Sequence, residues 1–222
     1  MSRDVEPYLA LVLTRASEKA AEWFERQAEV LSLANFAVAY AGAGRRLGET
    51  RVVLEAAERD AVIRAGLEAP EEWRLCDVGR SYLLQRVLDV APADQHERFV
   101  ARLFDQSDNR EREALLKTLC MLPEPVLFLA TAIDACRSHV QSVFEAIACE
   151  NRYPSLYFPD PAFNQMVLKA FFTGVAVKRI VDLGRRVTPE LSRMAQDYAS
   201  ERTAAGRPVP EDLGLVTLTR DA

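Results

Sequence analysis

Glu145, with Gln141 one turn before it, and Lys169, with Gln165 one turn before it, are the residues of this chain whose types and spacing could do chemistry. Residues four apart on a helix share a face, so each pair makes a polar spot on its helix. A carboxylate and an ammonium facing one groove would supply a general acid/base beside an anion clamp or an amine nucleophile. Gln165, Lys169 and Thr173 continue as one polar line, and the positive helix start near Pro161 would add to an anion site. The structural alternatives are a solvated face and an ion pair between Glu145 and Lys169. Asn164 shares a face with Leu168, Phe171 and Phe172 and is expected to point inward. A buried amide needs partners: the backbone of the segment 153–159, as a structural clamp, or a ligand.

The expected binding surface is the groove between helices at about 139–149 and 161–173, closed by a helix at about 189–204. Tyr153, Tyr157 and Phe158 would roof it. Arg193, Asp197 and Glu201 form a charged ladder on the closing helix, and Tyr198 reads as a core aromatic with its hydroxyl at the rim. The candidate ligand-binding set is therefore Gln141, Glu145, Tyr153, Asn164, Gln165, Lys169, Arg193, Asp197 and Tyr198. No catalytic residue is assigned, because no catalytic motif accompanies them.

Gly-x-Gly-x-x-Gly, Walker and serine-elbow patterns are absent, and Gly42-Ala43-Gly44 sits inside a helical pattern as a close-packing site. His96 and His139 stand alone without ligands at metal spacing, so neither a metal nor a cofactor is expected. Cys76, Cys120, Cys136 and Cys149 form no Cys-x-x-Cys pair and lie in apolar helical contexts, as core thiols of a reducing compartment do.

These side chains must be positioned by helices. Apolar residues recur at helical spacing almost throughout, beginning with Val5, Leu9, Val12, Leu13, Ala16, Ala20, Phe24 and Ala28. Further helices are predicted at about 32–46, 51–65, 72–89, 94–105, 109–120, 125–137, 139–149, 161–173 and 189–204, some nine to eleven in all. Asp160-Pro161 and Thr188-Pro189 are start signals, each a capping residue before a proline; Gly174 and Gly206 are stops. Pro154, Pro159 and Pro161 make 153–159 a restricted loop, rigid with the following helix. Similar text at 114–119, 142–147 and 166–171 suggests stacked helical hairpins. The fold expected is all-α, a single domain over 1–206 of HEAT-like character (an α-α superhelix), with 207–222 as a strap or flexible tail.

At 222 residues and 49% hydrophobic, the chain can bury a sizeable core. A net charge of −5 gives no electrostatic case for nucleic acid. Residues 151–222 carry ten basic and eight acidic side chains, so the informative segment is mildly basic on an acidic body and suits an anionic ligand or an acidic partner. No run is long enough to span a bilayer, and the start lacks a signal-peptide layout, so a cytoplasmic location is expected.

Residues 145–210 resemble the signature of the EboA-domain family. The resemblance rests on Phe144-Glu145-Ala146-Ile147-Ala148, Glu150-Asn151-Arg152-Tyr153-Pro154, Tyr157-Phe158-Pro159 and Ala162 through Ala170. It continues through Arg179-Ile180, Arg186-Val187-Thr188-Pro189-Glu190-Leu191, Met194, Asp197-Tyr198, Glu201-Arg202 and Ala205-Gly206-Arg207, with Asp134-Ala135-Cys136-Arg137 upstream. Arg152 stands where the family pattern has a proline or small residue, which predicts a looser turn there. The resemblance implies an accessory component of a bacterial cluster that makes or exports a small metabolite, in some bacteria a sunscreen-pigment precursor bound for the periplasm. Such a protein would bind a small metabolite or a partner enzyme of the cluster without catalysis. The alternative is an isomerase or transferase acting on an anionic sugar- or cyclitol-like metabolite through Glu145 and Lys169.

Overall fold

The computed structural model describes residues 5–67 and 69–217. Its α-helices are α1 (Glu6–Arg15), α2 (Glu18–Glu29), α3 (Phe36–Leu47), α4 (Ala56–Arg64), α5 (Leu75–Val90) and α6 (His96–Gln106). They continue as α7 (Asn109–Thr118), α8 (Leu129–Ala135), α9 (Gln141–Ala148), α10 (Tyr153–Tyr157), α11 (Asp160–Thr173) and α12 (Pro189–Ala204). Short 3₁₀ turns join several of them, and no strand occurs among the described residues beyond an isolated bridge between Arg51 and Arg74. The protein is all-α, as the 3.6-residue periodicity predicts. Packing separates into two compact units that divide between Thr131 and Ala132.

In the first unit, α5 is the central helix, packed by α1, α3 and α7. It is buried along most of its length, polar residues included; most of these find partners nearby, although the Gln85 Oε1 has none among the described residues. Arg80 donates Nε to the carbonyl of Tyr40 (3.2 Å) and lies 3.8 Å from the Glu111 carboxylate. Glycines let these helices meet. A Cβ on Gly42 would stand 2.8 Å from the Trp23 ring, one on Gly44 2.7 Å from an Arg80 nitrogen, and one on Gly79 would collide with Leu47. Close packing at Gly42 and Gly44 is thus as expected. His96 is buried with Nε2 3.1 Å from the Ala91 carbonyl, a structural bond. Helices consequently pack radially about α5 as well as onto their chain neighbours.

In the second unit, α11 packs against α12 and the 3₁₀ turn Val177–Arg179. Thr188 caps α12 by accepting from the N–H of Leu191, with Pro189 at the first helical position. At α11 the expected cap differs. The helix begins at Asp160 itself with Pro159 before it and no side-chain cap, because the Asp160 carboxylate accepts from Arg186 (3.1 Å) instead. The segment predicted as a loop contains a helical turn, α10, since Pro154 falls where a helix tolerates proline. Residues 207–217 return along this unit: Leu213 and Val216 are buried, and the Asp212 carboxylate accepts from the N–H of Val177 at 2.7 Å.

Candidate functional site

All nine sequence-predicted residues lie in the second unit, but the structure brings them together in smaller groups. Gln141 and Glu145 are joined, Nε2 to Oε1 at 2.7 Å, on the half-exposed face of α9. The charge opposite Glu145 is Arg179 and not Lys169: its Nη1 meets Glu145 at 2.6 Å, while Nε and Nη2 hold Glu150 at 2.9 and 2.8 Å. Burial alone would raise the Glu145 carboxyl, but the hydrogen bonds from Arg179 and Gln141 outweigh it and hold the pKa below the usual glutamate value. Hydrogen bonding to Glu150 likewise raises Arg179. Glu145 is therefore ionised, and its acceptors are occupied.

Lys169 turns away from solvent. Its Nζ donates to the carbonyls of Cys136 and Ser138, each at 2.5 Å, in the turn after α8, and stands 4.6 Å from the centroid of the Phe144 ring. Burial lowers its pKa from the ordinary lysine value. The other members of its polar line, Gln165 and Thr173, face solvent, and the Thr173 hydroxyl donates back to the Lys169 carbonyl.

Asn164 is buried, 4% exposed, and its Oδ1 finds no hydrogen-bond partner among the described residues. The clamp on segment 153–159 is made by Arg186, which sequence reasoning missed. Arg186 donates to the carbonyls of Pro154 (3.0 Å), Ser155 (2.7 Å) and Phe158 (2.8 Å), and stacks 4.4 Å from the Phe163 ring centroid. Its fork of five donors spans acceptors that an amide cannot. Nor is the turn at Arg152 loose: Asn151 closes it, donating to Ala146 and accepting from the N–H of Tyr153, both at 2.9 Å.

Tyr153 is fully buried and packs against Tyr157 and Phe158, so it belongs to the core and not to a roof. Tyr198 is a core aromatic as expected; its hydroxyl donates to the Phe171 carbonyl at 3.2 Å. Phe172, expected inside with Asn164, is 67% exposed and meets Tyr198 edge-on. Eight helical residues turn about 80° past the starting face, which carries Phe172 outward. Arg193 and Asp197 are exposed and pair with each other (2.6 Å), and Arg193 also with Glu190 (2.7 Å).

No group of three or more His, Cys, Asp or Glu side chains is placed to hold a metal ion among the described residues. No described helix is long and apolar enough to cross a membrane.

Against this geometry, the profile of the family described as metabolite traffic protein EboA matches residues 6–217. The chain belongs to that family. No curated protein and no solved structure matches it. The EboA match takes in both compact units, whereas the readable signature covers only the second. Arg179, Arg186 and Asn151, the residues that hold that signature together, all fall within its text.

Proposed function

We propose that this EboA-family protein binds a small metabolite, or presents one to a partner protein, without transforming it. The observation that supports this reading is the engagement of the two residues best suited to catalysis. Glu145 is tied between Arg179 and Gln141, and the donors of Lys169 are directed to backbone carbonyls. A general acid/base needs a carboxyl with a pKa near the working pH and a free line to substrate; Glu145 has a depressed pKa and bonded oxygens. The metabolite-traffic description of the family favours the same reading.

The enzyme reading is kept by one observation: burial lowers the pKa of Lys169, as in amine nucleophiles. One experiment separates the two. The purified chain is incubated with a small-molecule extract of its host and followed by native mass spectrometry and untargeted metabolite profiling. A retained mass at one per chain, with no product beyond the protein concentration, is the expected outcome. Product accumulating over many turnovers, and abolished in Lys169→Met, would replace binding by catalysis.

A further inference from the structure

The first unit contains a cavity of about 780 Å³ between the start of α3 and one whole face of α6. Its α6 wall carries Arg98 and Arg102 one turn apart, with Phe99 and Leu103 beside them. The opposite, buried face of the same helix is His96, Val100 and Phe104. A surface helix ordinarily closes its apolar side against the core and leaves the rest polar. Here the outward side is itself amphipathic, with aromatic and aliphatic groups under two cations.

Neither guanidinium forms an ion pair among the described residues, although Asp94, which also lines the cavity, stands four residues before Arg98. Elsewhere in this unit Arg15, Arg51, Arg59, Arg74, Arg80 and Arg110 have carboxylate partners, Arg112 donates to the carbonyls of Phe104 and Asp105, and Arg45, Arg46 and Arg64 form no ion pair among the described residues. The floor is aromatic: Phe36 and Phe99 meet edge to face, with centroids 5.2 Å apart. Helix α3 points its positive end at the same space and starts there without a side-chain cap, since the Asn35 amide bonds backward to Ser32 and Val30. A volume of this size, with apolar walls and a few convergent polar groups, is characteristic of a small-molecule site.

We propose that this cavity binds a small metabolite carrying an oxyanion, phosphate or carboxylate, on an apolar or ring-bearing body. Arg98 and Arg102 take the oxyanion, and Phe99, Leu33 and Leu103 take the body, with the buried Phe36 ring supporting Phe99 from beneath. A planar guanidinium meets either oxyanion in bidentate fashion, which favours arginine over lysine for this task. The proposal rests on the binding reading above and gives it a ligand class.

The test uses the full chain with phenyl phosphate, benzoate and inorganic phosphate as probes, followed by calorimetry. Phenyl phosphate or benzoate binds one per chain, and the tighter of the two identifies the oxyanion. Inorganic phosphate binds more weakly, because it lacks the body. Arg98→Gln with Arg102→Gln weakens the aromatic probe by about tenfold or more, as loss of charge-assisted bonds requires. Both arginines are exposed, so this variant keeps its fold, which its unfolding midpoint verifies. Ala37→Trp fills the cavity from the exposed start of α3 and removes binding with both arginines present. No saturable binding of either aromatic probe overturns the proposal. So does inorganic phosphate binding as tightly as the aromatic probes and unaffected by Ala37→Trp, which would mark surface charge alone. If a native ligand is captured by the chain and retained equally by the double variant, the cavity proposal fails while the binding reading stands.

Discussion

Glu150 and Arg179 clasp each other twice. The guanidinium takes both carboxylate oxygens, at 2.9 and 2.8 Å, and the N–H of Glu150 donates to the carbonyl of Arg179 at 3.0 Å. Glu150 holds a left-handed backbone, φ +47°, which a non-glycine residue adopts at some energetic expense. The clasp thus fixes the exit from α9 and brings Arg179 within reach of Glu145.

Arg179→Leu should therefore destabilise the chain by about 1–2 kcal/mol, discounted for the solvent that reaches a one-third-exposed pair. The measurement is the urea midpoint. A shift below about 0.3 kcal/mol would show that the cluster is only surface electrostatics.

A larger effect is expected at Arg186, whose side chain is only 17% exposed and serves three backbone carbonyls and the Asp160 carboxylate. Arg186→Ala removes this donor from all three carbonyls, of which Pro154 keeps the N–H of Phe158, and should lower stability by about 2–4 kcal/mol. Arg186→Lys should recover little, since a single ammonium cannot span acceptors arranged for a planar fork. Equal stability of Arg186→Lys and the parent chain would refute the clamp.

Lys169 shows why a helical stripe does not tell a rim residue from a buried one. Read along α11, Gln165, Lys169 and Thr173 look equivalent, and a rim lysine contributes little to stability. In the fold only Lys169 bends onto the turn after α8 and the Phe144 ring. Lys169→Met keeps the stem and removes the charge, and should cost about 1–2 kcal/mol. Unchanged denaturation would return Lys169 to the list of groups free for a ligand.

The helices themselves were legible because capping and apolar periodicity are local. Thr188-Pro189 starts α12, Gly174 and Gly206 follow α11 and α12 with positive φ, and the stripe on α6 buries its apolar face. What escaped was set by distant partners. The continuous stripe from Val5 to Ala28 breaks at Ala16 and Ser17 into two helices, both residues being extended in the fold. The partner of Glu145 comes from 34 residues away, and no spacing rule chooses Arg179 over Lys169. Arg98 and Arg102 belong to no motif, and only the placement of α3 across from them sets them over a cavity.

Glu145 gives the protein a defined acid sensitivity. Its folded pKa lies below its unfolded value of about 4.3, so its contribution is fully present above that value and lost as the pH falls through the folded pKa. The difference in urea midpoint between the parent and Glu145→Gln should be constant from pH 8 to about pH 5.5 and close below about pH 4. A gap that widens on acidification would mean the carboxyl is protonated in its cluster.

The buried thiols should be inert. Burial pushes Cys136 and Cys149 up to about 12 and Cys76 up to about 11, far from the thiolate form that reacts. In a disulfide-exchange titration at pH 8, these three should react only on the timescale of unfolding, and all together when denaturant is added. Rapid native labelling of any of them would show that its helix opens locally.

Asn164 supplies the most discriminating test of the second unit. Its Oδ1 is buried without a partner among the described residues, so removing it relieves a desolvated group and opens no bond. Asn164→Leu should leave the urea midpoint unchanged or raise it by up to about 1 kcal/mol. A drop of about 2 kcal/mol or more would instead show that the amide is part of the internal network, and would restore the structural clamp.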